Sequence, residues 1–185
     1  MGEELPRTSR FQTVLAWSLI PLVALLLTAV IVLYVLFTTA IIEGDSMFPS
    51  LHAGDYILVE RGYDTPIRGD VIVYETTLDD GVPIRVVKRV IAVPGDTIEV
   101  VSGRAHVNGQ VEVCDYCVLL QEGDTSVPPY VVPEGQLFLL GDNRPYSLDS
   151  RHYGPVPLDK VIGQAVLIFA PFDHIGQIDE PFLAD

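Results

Sequence analysis

"IRVVKRVIAV" (residues 84–93) is the stretch from which the fold can be read. β-Branched residues fill it, and its side chains alternate as they do along a strand. Ile84, Val86, Lys88 and Val90 fall on one face, and Arg85, Val87 and Arg89 on the other. The anomaly is a lysine on an otherwise apolar face. An edge-strand lysine that keeps its amine in water and discourages aggregation is the ordinary explanation. Arg85 and Arg89 weaken it, because they already mark the opposite face as the wetter one. The chain has one other lysine, Lys160.

Outward from this strand the same texture continues. "DYILVE" (55–60), "GDVIVYET" (69–76), "DTIEVVSG" (96–103), "AHVNGQVEV" (105–113), "GQLFLLGD" (135–142) and "QAVLIFA" (164–170) are short strand-like runs punctuated by Gly, Pro, Asp and Asn. Asn108–Gly109 is a hairpin signal. No helical pattern longer than a turn or two follows residue 42. The expected fold is therefore mostly β, an antiparallel-sheet domain. Residues 102–134, irregular and carrying Pro128, Pro129 and Pro133, read as a small β/loop insert. The β core then comprises 39–101 and 135–185.

The N-terminal part is different. No charged residue occurs between Arg10 and Glu43. The apolar run 14–37, "VLAWSLIPLVALLLTAVIVLYVLF", exceeds the about 20 residues that cross a bilayer as a helix. A secretory signal peptide has a much shorter apolar region. Residues 13–38 are thus expected to be a retained transmembrane anchor after a 1–12 tail. Trp17 and Tyr34 stand near its ends, as interfacial aromatics do. Arg7 and Arg10 precede it, and the next cation is Arg61. The positive-inside rule then puts the tail in the cytoplasm and residues 43–185 outside, although Glu3 and Glu4 thin the margin.

A formal net charge of −14 repels phosphate backbones and argues against nucleic acid as a partner. Cys114 and Cys117, spaced C-x-x-C, fit a local disulfide or an incidental pair better than a zinc or redox centre. No second ligand pair and no βαβ surroundings accompany them.

Lys88 has a chemical reading. Burial disfavours an ammonium and lowers its pKa, and a lysine brought to roughly 7–8 is a usable general base. Such a base needs a hydroxyl nucleophile. Ser46, in "EGDSMFPSL" (43–51), is the candidate, in a turn framed by Gly44 and Pro49. It is not a G-x-S-x-G elbow, because Phe48 takes the second glycine position. His52, His106, His152 and His174 could complete a Ser-His-Asp triad, but each reads as an ordinary surface residue.

Three blocks together resemble a known family. "GDSMFPSL" (44–51), "VVKRVIAVPGD" (86–96) and "GDNRPYSLDSRHYGPVP" (141–157) look like the serine, lysine and glycine-aspartate-asparagine-arginine boxes of bacterial type I signal peptidases. "RGDVIVYE" (68–75) resembles a fourth. Their order, after an anchor, is the family's. The resemblance implies a membrane-anchored serine endopeptidase that cuts signal peptides from exported preproteins after an A-x-A pattern. It implies Ser46 as nucleophile and Lys88 as general base, with no metal or organic cofactor. It implies that Ser147 hydrogen-bonds the lysine, that Asp149 and Arg151 pair to support the site, and that Ile42, Val86 and Val87 line the substrate pockets. Met47 and Phe48 are expected either at the membrane surface or in the core. Where some members have a serine donor for the oxyanion, this chain has Gly44, leaving the Ser46 amide and an unassigned second donor. The implied partners are signal peptides and the lipid bilayer. Two further enzyme families share these features: processing peptidases for pilins or conjugation proteins, and self-cleaving SOS-type repressors. The latter would carry a DNA-binding helix-turn-helix in place of the anchor. A silent adaptor would lack Ser46 or Lys88.

Overall fold

The computed structural model describes residues 10–77, 81–119 and 126–178. Most of the 1–12 tail lies outside them. The chain forms two units, divided after Leu36.

The first unit is one helix, α1 (Arg10–Leu36). Its segment Trp17–Leu36 is long and apolar enough to cross a membrane, and every side chain of that segment is exposed. The Thr28 hydroxyl donates back to the Ala24 carbonyl at 2.8 Å, so it is satisfied within the helix. These features are consistent with a membrane anchor.

The second unit is built from antiparallel strands. Its larger sheet contains β1 (Phe37–Ile41), β2 (Tyr56–Arg61), β3 (Val71–Thr77) and β4 (Pro83–Ala92). A smaller sheet contains β5 (Thr97–Val101), β6 (Arg104–Val107), β7 (Gln110–Val111) and β8 (Val127–Val131). The chain then returns to the larger sheet with β9 (Gln136–Leu140), β10 (Val156–Pro157), β11 (Val161–Ala170) and β12 (Gly176–Gln177). The order across the larger sheet is β1-β2-β11-β3-β4-β9-β10, with β12 on β11; the smaller runs β7-β6-β5-β8. A short helix, α2 (Ser150–Tyr153), follows β9.

The expected strands are present, with differences at the margins. Strand β1 begins at Phe37, inside the stretch expected to be anchor. Thr38 and Thr39 are β-branched and pair with Val59 and Leu58 of β2. The smaller sheet starts at Thr97, earlier than the expected insert, because β5 forms a hairpin with β6. Strand β8 forms despite Pro128 and Pro129. It lies on the edge, pairs only with β5, and its register slips between Ile98 and Val100, where prolines are tolerated. In the β6–β7 turn Asn108 and Gly109 both have positive φ, 52° and 81°, as a type I′ turn requires.

Both halves share apolar packing. Ile91, Ala92, Phe138 and Leu140 of the larger sheet pack with Ile98, Val100, Ala105 and Val107 of the smaller. A second cluster gathers Met47, Leu51, Ile57, Val59, Val71 and Val73. A third holds Ile72, Tyr74, Val90, Leu137 and Leu139.

This covering corrects the reading of β4. Arg85 is exposed, but Arg89 is fully buried. Alternation assigns a side, whereas the packing beyond that side decides whether it is wet. Arg89 tolerates burial because Asp142 accepts from its Nε at 2.9 Å and from its Nη2 at 2.7 Å. Its Nη1 donates to the Gly69 carbonyl at 2.8 Å.

Strand β11 lies between β2 and β3, and Gly163 is where all three backbones crowd. A Cβ there would collide with the Glu60 carbonyl. We expect Gly163→Ala to destabilise the domain by about 1–3 kcal/mol through overpacking. A thermal melt of the detergent-solubilised protein would show this as a fall in Tm, and an unchanged Tm would contradict the crowding.

Candidate active site

Ser46 opens a run of turns after β1. The turn is held from below by Met47 and Leu51, both buried. It is held along the backbone by Phe48 N–H to Asp45 O at 3.1 Å and Leu51 N–H to Met47 O at 2.9 Å. Met47 belongs to the core, whereas Phe48 is 40% exposed. The loop after β9 clamps the turn from the other side. Asn143 N–H donates to the Ser46 carbonyl at 3.0 Å, and Asn143 Nδ2 donates to the Asp45 carbonyl at 2.9 Å. Gly141 makes this approach possible, since a Cβ there would strike both Ser147 and the Ser46 carbonyl.

Lys88 stands opposite Ile72 in the β3–β4 ladder and is only 3% exposed. Its Nζ donates to Ser46 Oγ at 2.7 Å and to the Val87 carbonyl at 2.9 Å. Loss of hydration lowers its pKa from 10.5 to about 8. Asp149 and Asp142 pull it upward and Arg151 pushes it downward.

Asp149 and Arg151 form a buried bidentate pair, with Nε to Oδ1 at 2.8 Å and Nη2 to Oδ2 at 2.8 Å. Burial works to raise the Asp149 pKa. The hydrogen bonds and charge of Arg151, with the Gly141 N–H at 3.1 Å, outweigh it and hold the carboxyl below its usual range. Arg151 Nη2 also donates to the carbonyls of Arg144 and Ser147.

Ser147 is buried at 4% exposure. No Ser147–Lys88 bond is made among the described residues: Lys88 Nζ donates to Ser46 Oγ and to the Val87 carbonyl, while the Ser147 hydroxyl faces Asp149 and helps hold that carboxyl below its usual range. Among the described residues the Ser46 amide donates to no acceptor. It is therefore available to an incoming oxyanion.

A cleft of about 600 Å³ opens on the pair. It is lined by Thr39, Ala40 and Ile41 of β1, then Ile42, Gly44, Ser46 and Met47. Across from them lie Pro83 to Lys88 of β4. Ile42, Val86 and Val87 thus meet Ser46 and Lys88 in one cleft, while Ser147, Asp149 and Arg151 do not line it. Among the described residues both long walls are unpaired strand edges. Strand β1 pairs only with β2, and β4 meets β9 only from Arg89 onward.

A serine hydroxyl against a dry lysine, at the end of an extended cleft, is an arrangement for acyl transfer. The chain matches the family described as "Signal peptidase, peptidase S26" over residues 14–170. The chain belongs to this peptidase S26 family of signal peptidases. As such it is a serine peptidase that removes signal peptides. Signal peptidase I of Leptolyngbya laminosa is 35% identical over 76% of this chain and 72% of its own. Signal peptidase I of Bacillus licheniformis is 30% identical over 93% and 97%. A crystal structure of a signal peptidase I from Enterococcus faecalis is 31% identical and covers 54% of this chain and 96% of its own, with a TM-score of 0.44.

Sequence reasoning did not find Asn143 and Gly141 as the clamp on this signal peptidase's serine turn, nor the Val87 carbonyl as an acceptor. Only the Gly-Asp-Asn-Arg box hinted at the first two. Two of the four histidines, His52 and His174, converge on Asp55 rather than standing alone.

The lysine's burial carries a stability signature. Its folded pKa of about 8 lies below its ordinary 10.5. Below pH 8 the folded state holds a charge it disfavours, at a cost on the order of 3 kcal/mol. Between about 8 and 10.5 the unfolded chain binds the extra proton, so folding strengthens as pH rises. Lys88→Met removes this cost. Denaturant titrations should show the variant more stable than the parent at pH 7, with the gap closing toward pH 10. A gap that is constant with pH would mean the amine is well solvated.

Proposed function

We propose that Ser46 is the nucleophile and Lys88 the general base in cleaving signal peptides from preproteins. The observation that carries this reading is the 2.7 Å contact between Lys88 Nζ and Ser46 Oγ at the end of the cleft. The neutral amine takes the hydroxyl proton as Oγ attacks the scissile carbonyl. It returns that proton to the amine of the departing mature chain, leaving an acyl-enzyme on Ser46. Lys88 then deprotonates a water, whose attack frees the signal peptide and restores the serine.

The Ser46 amide is the first oxyanion donor. Gly44 brings no side chain to the second, so that place falls to water or another group. Asp149 and Arg151 set the charge around the base. Ser147, whose hydroxyl lies close to the Ser46 carbonyl across Gly141, holds the amine once it is protonated.

The substrate lies extended in the cleft and adds main-chain hydrogen bonds to the free edges of β1 and β4. Ile42, Val86 and Val87 bound shallow apolar pockets that admit small residues, which supports the A-x-A preference. Helix α1 fixes the enzyme in the bilayer where signal peptides emerge, raising their effective concentration. Arg7 and Arg10 favour a cytoplasmic N-terminus, with the β domain on the far side.

Cleavage of a preprotein in detergent tests the assignment. Ser46→Ala and Lys88→Ala should each abolish it with the fold intact by circular dichroism, and Lys88→Arg should be equally inactive because a guanidinium keeps its proton. In the parent, kcat/KM should rise on the acid side with a midpoint near 8. Processing by either alanine variant would sink the proposal. A second test uses Gly44→Ser, since a Cβ at Gly44 meets nothing within 4 Å. A hydroxyl reaching the oxyanion should raise kcat by about tenfold, with KM little changed. An unchanged kcat would mean the position does not face the oxyanion.

A further inference from the structure

Away from the cleft, three metal-ligating side chains converge. Asp55 sits just before β2 and is 2% exposed. His52 belongs to the serine turn. His174 ends a 3₁₀ turn (Phe172–His174) that follows β11. Pairing of Tyr56 with Ala170 in the β2–β11 ladder places these distant segments side by side. His174 Nδ1 lies 2.9 Å from Asp55 Oδ2, and His52 Nδ1 lies 3.9 Å from the same oxygen. The two imidazoles meet edge to face with centroids 4.4 Å apart. One ligand atom from each of the three lies within 4.8 Å of the others.

From this geometry we infer a divalent transition-metal site formed by His52, Asp55 and His174. Ligands of a tetrahedral ion with bonds of about 2.1 Å stand roughly 3.4 Å apart, and these donors bracket that spacing. Two imidazoles and one carboxylate suit zinc or a neighbouring first-row ion, whereas magnesium and calcium favour all-oxygen sets. Asp55 Oδ2 also accepts from the His52 backbone N–H at 2.7 Å, which fixes the carboxylate. Asp55 is buried while the His52 and His174 side chains are 46% and 34% exposed, so an ion can enter from solvent and keep a water ligand. The ion would join the end of the chain's last long strand to the serine turn. Asp55 O already accepts from Ile42 N–H at 2.9 Å, and the Phe48 ring packs edge-on against His52. The site is independent of how Ser46 and Lys88 act.

Titrating Zn²⁺ into the full-length protein in detergent, by calorimetry at neutral pH, tests this. One ion should bind saturably, and excess Mg²⁺ should not displace it. His52→Gln and His174→Gln should each weaken binding about tenfold or more, while His106→Gln leaves it unchanged. Circular dichroism of each variant confirms that the fold persists. The inference is overturned by an absence of saturable binding, by binding that survives both substitutions, or by equal competition from Mg²⁺.

Discussion

Taking an ammonium out of water costs several kcal/mol, and the β domain is arranged so that Lys88 bears that cost while remaining within 2.7 Å of one hydroxyl. Its strand register fixes where the amine emerges, because Lys88 faces Ile72 and so shares the surroundings of Tyr74 and Val90. A buried lysine could escape the penalty by finding a carboxylate, and Asp149 is close enough to pull its pKa upward. Burial outweighs this pull, and Arg151 opposes it. Its bidentate grip engages both Asp149 oxygens, and its own charge pushes the lysine the other way. The ion pair thus tempers a nearby negative charge, while burial sets the direction of the shift.

The loop that carries this machinery, residues 141–151, has little regular structure, so its backbone groups need other partners. Arg144 and Arg151 donate to its carbonyls, and three buried arginines brace it through ion pairs. Arg89 holds Asp142, Arg144 holds Glu112 of the segment after β7, and Arg151 holds Asp149. Each also donates to a carbonyl: those of Gly69, Gly141 and Ser147 are among the acceptors. The guanidinium fork suits this task because it satisfies a carboxylate and a carbonyl at once. Two of the three pairs tie parts of the chain far apart in sequence, so the serine turn and the smaller sheet are referenced to one loop. Removing one partner would leave a buried charge alone, which is far costlier than losing a surface pair.

Much of this was legible in the sequence, for specific reasons. Alternation identified Lys88 as the odd residue on its face, and the turn residues around Ser46 marked an exposed hydroxyl. Arg89 was misplaced because a period of two says which side a residue takes and nothing about what packs there. Strand β1 was hidden because an uncharged "FTTAI" continues the apolar run of the helix, and only pairing with β2 distinguishes them. Strand β8 was hidden by prolines that an edge position accommodates. The meeting of His52 with His174 depends on the β2–β11 register, which no local pattern encodes. Asn143 acts through the Ser46 and Asp45 backbones, and backbone acceptors leave no trace in side-chain chemistry.

The unpaired edges beside Ser46 have a physical consequence of their own. An exposed strand edge invites pairing with any extended chain, and proteins usually blunt it. Among the described residues β1 and the first half of β4 are left open along the same cleft. Main-chain hydrogen bonds from such edges recognise an extended peptide whatever its side chains are, so they suit substrates that share little sequence. In the proposed reading, discrimination then falls to shallow pockets that reject bulk rather than reward a particular contact. In that reading it falls also to the helix, which as a membrane anchor would limit the competing peptides to those that reach the membrane surface. An enzyme working in this way would need few specific contacts, because the fold and the anchor would already have narrowed what can enter.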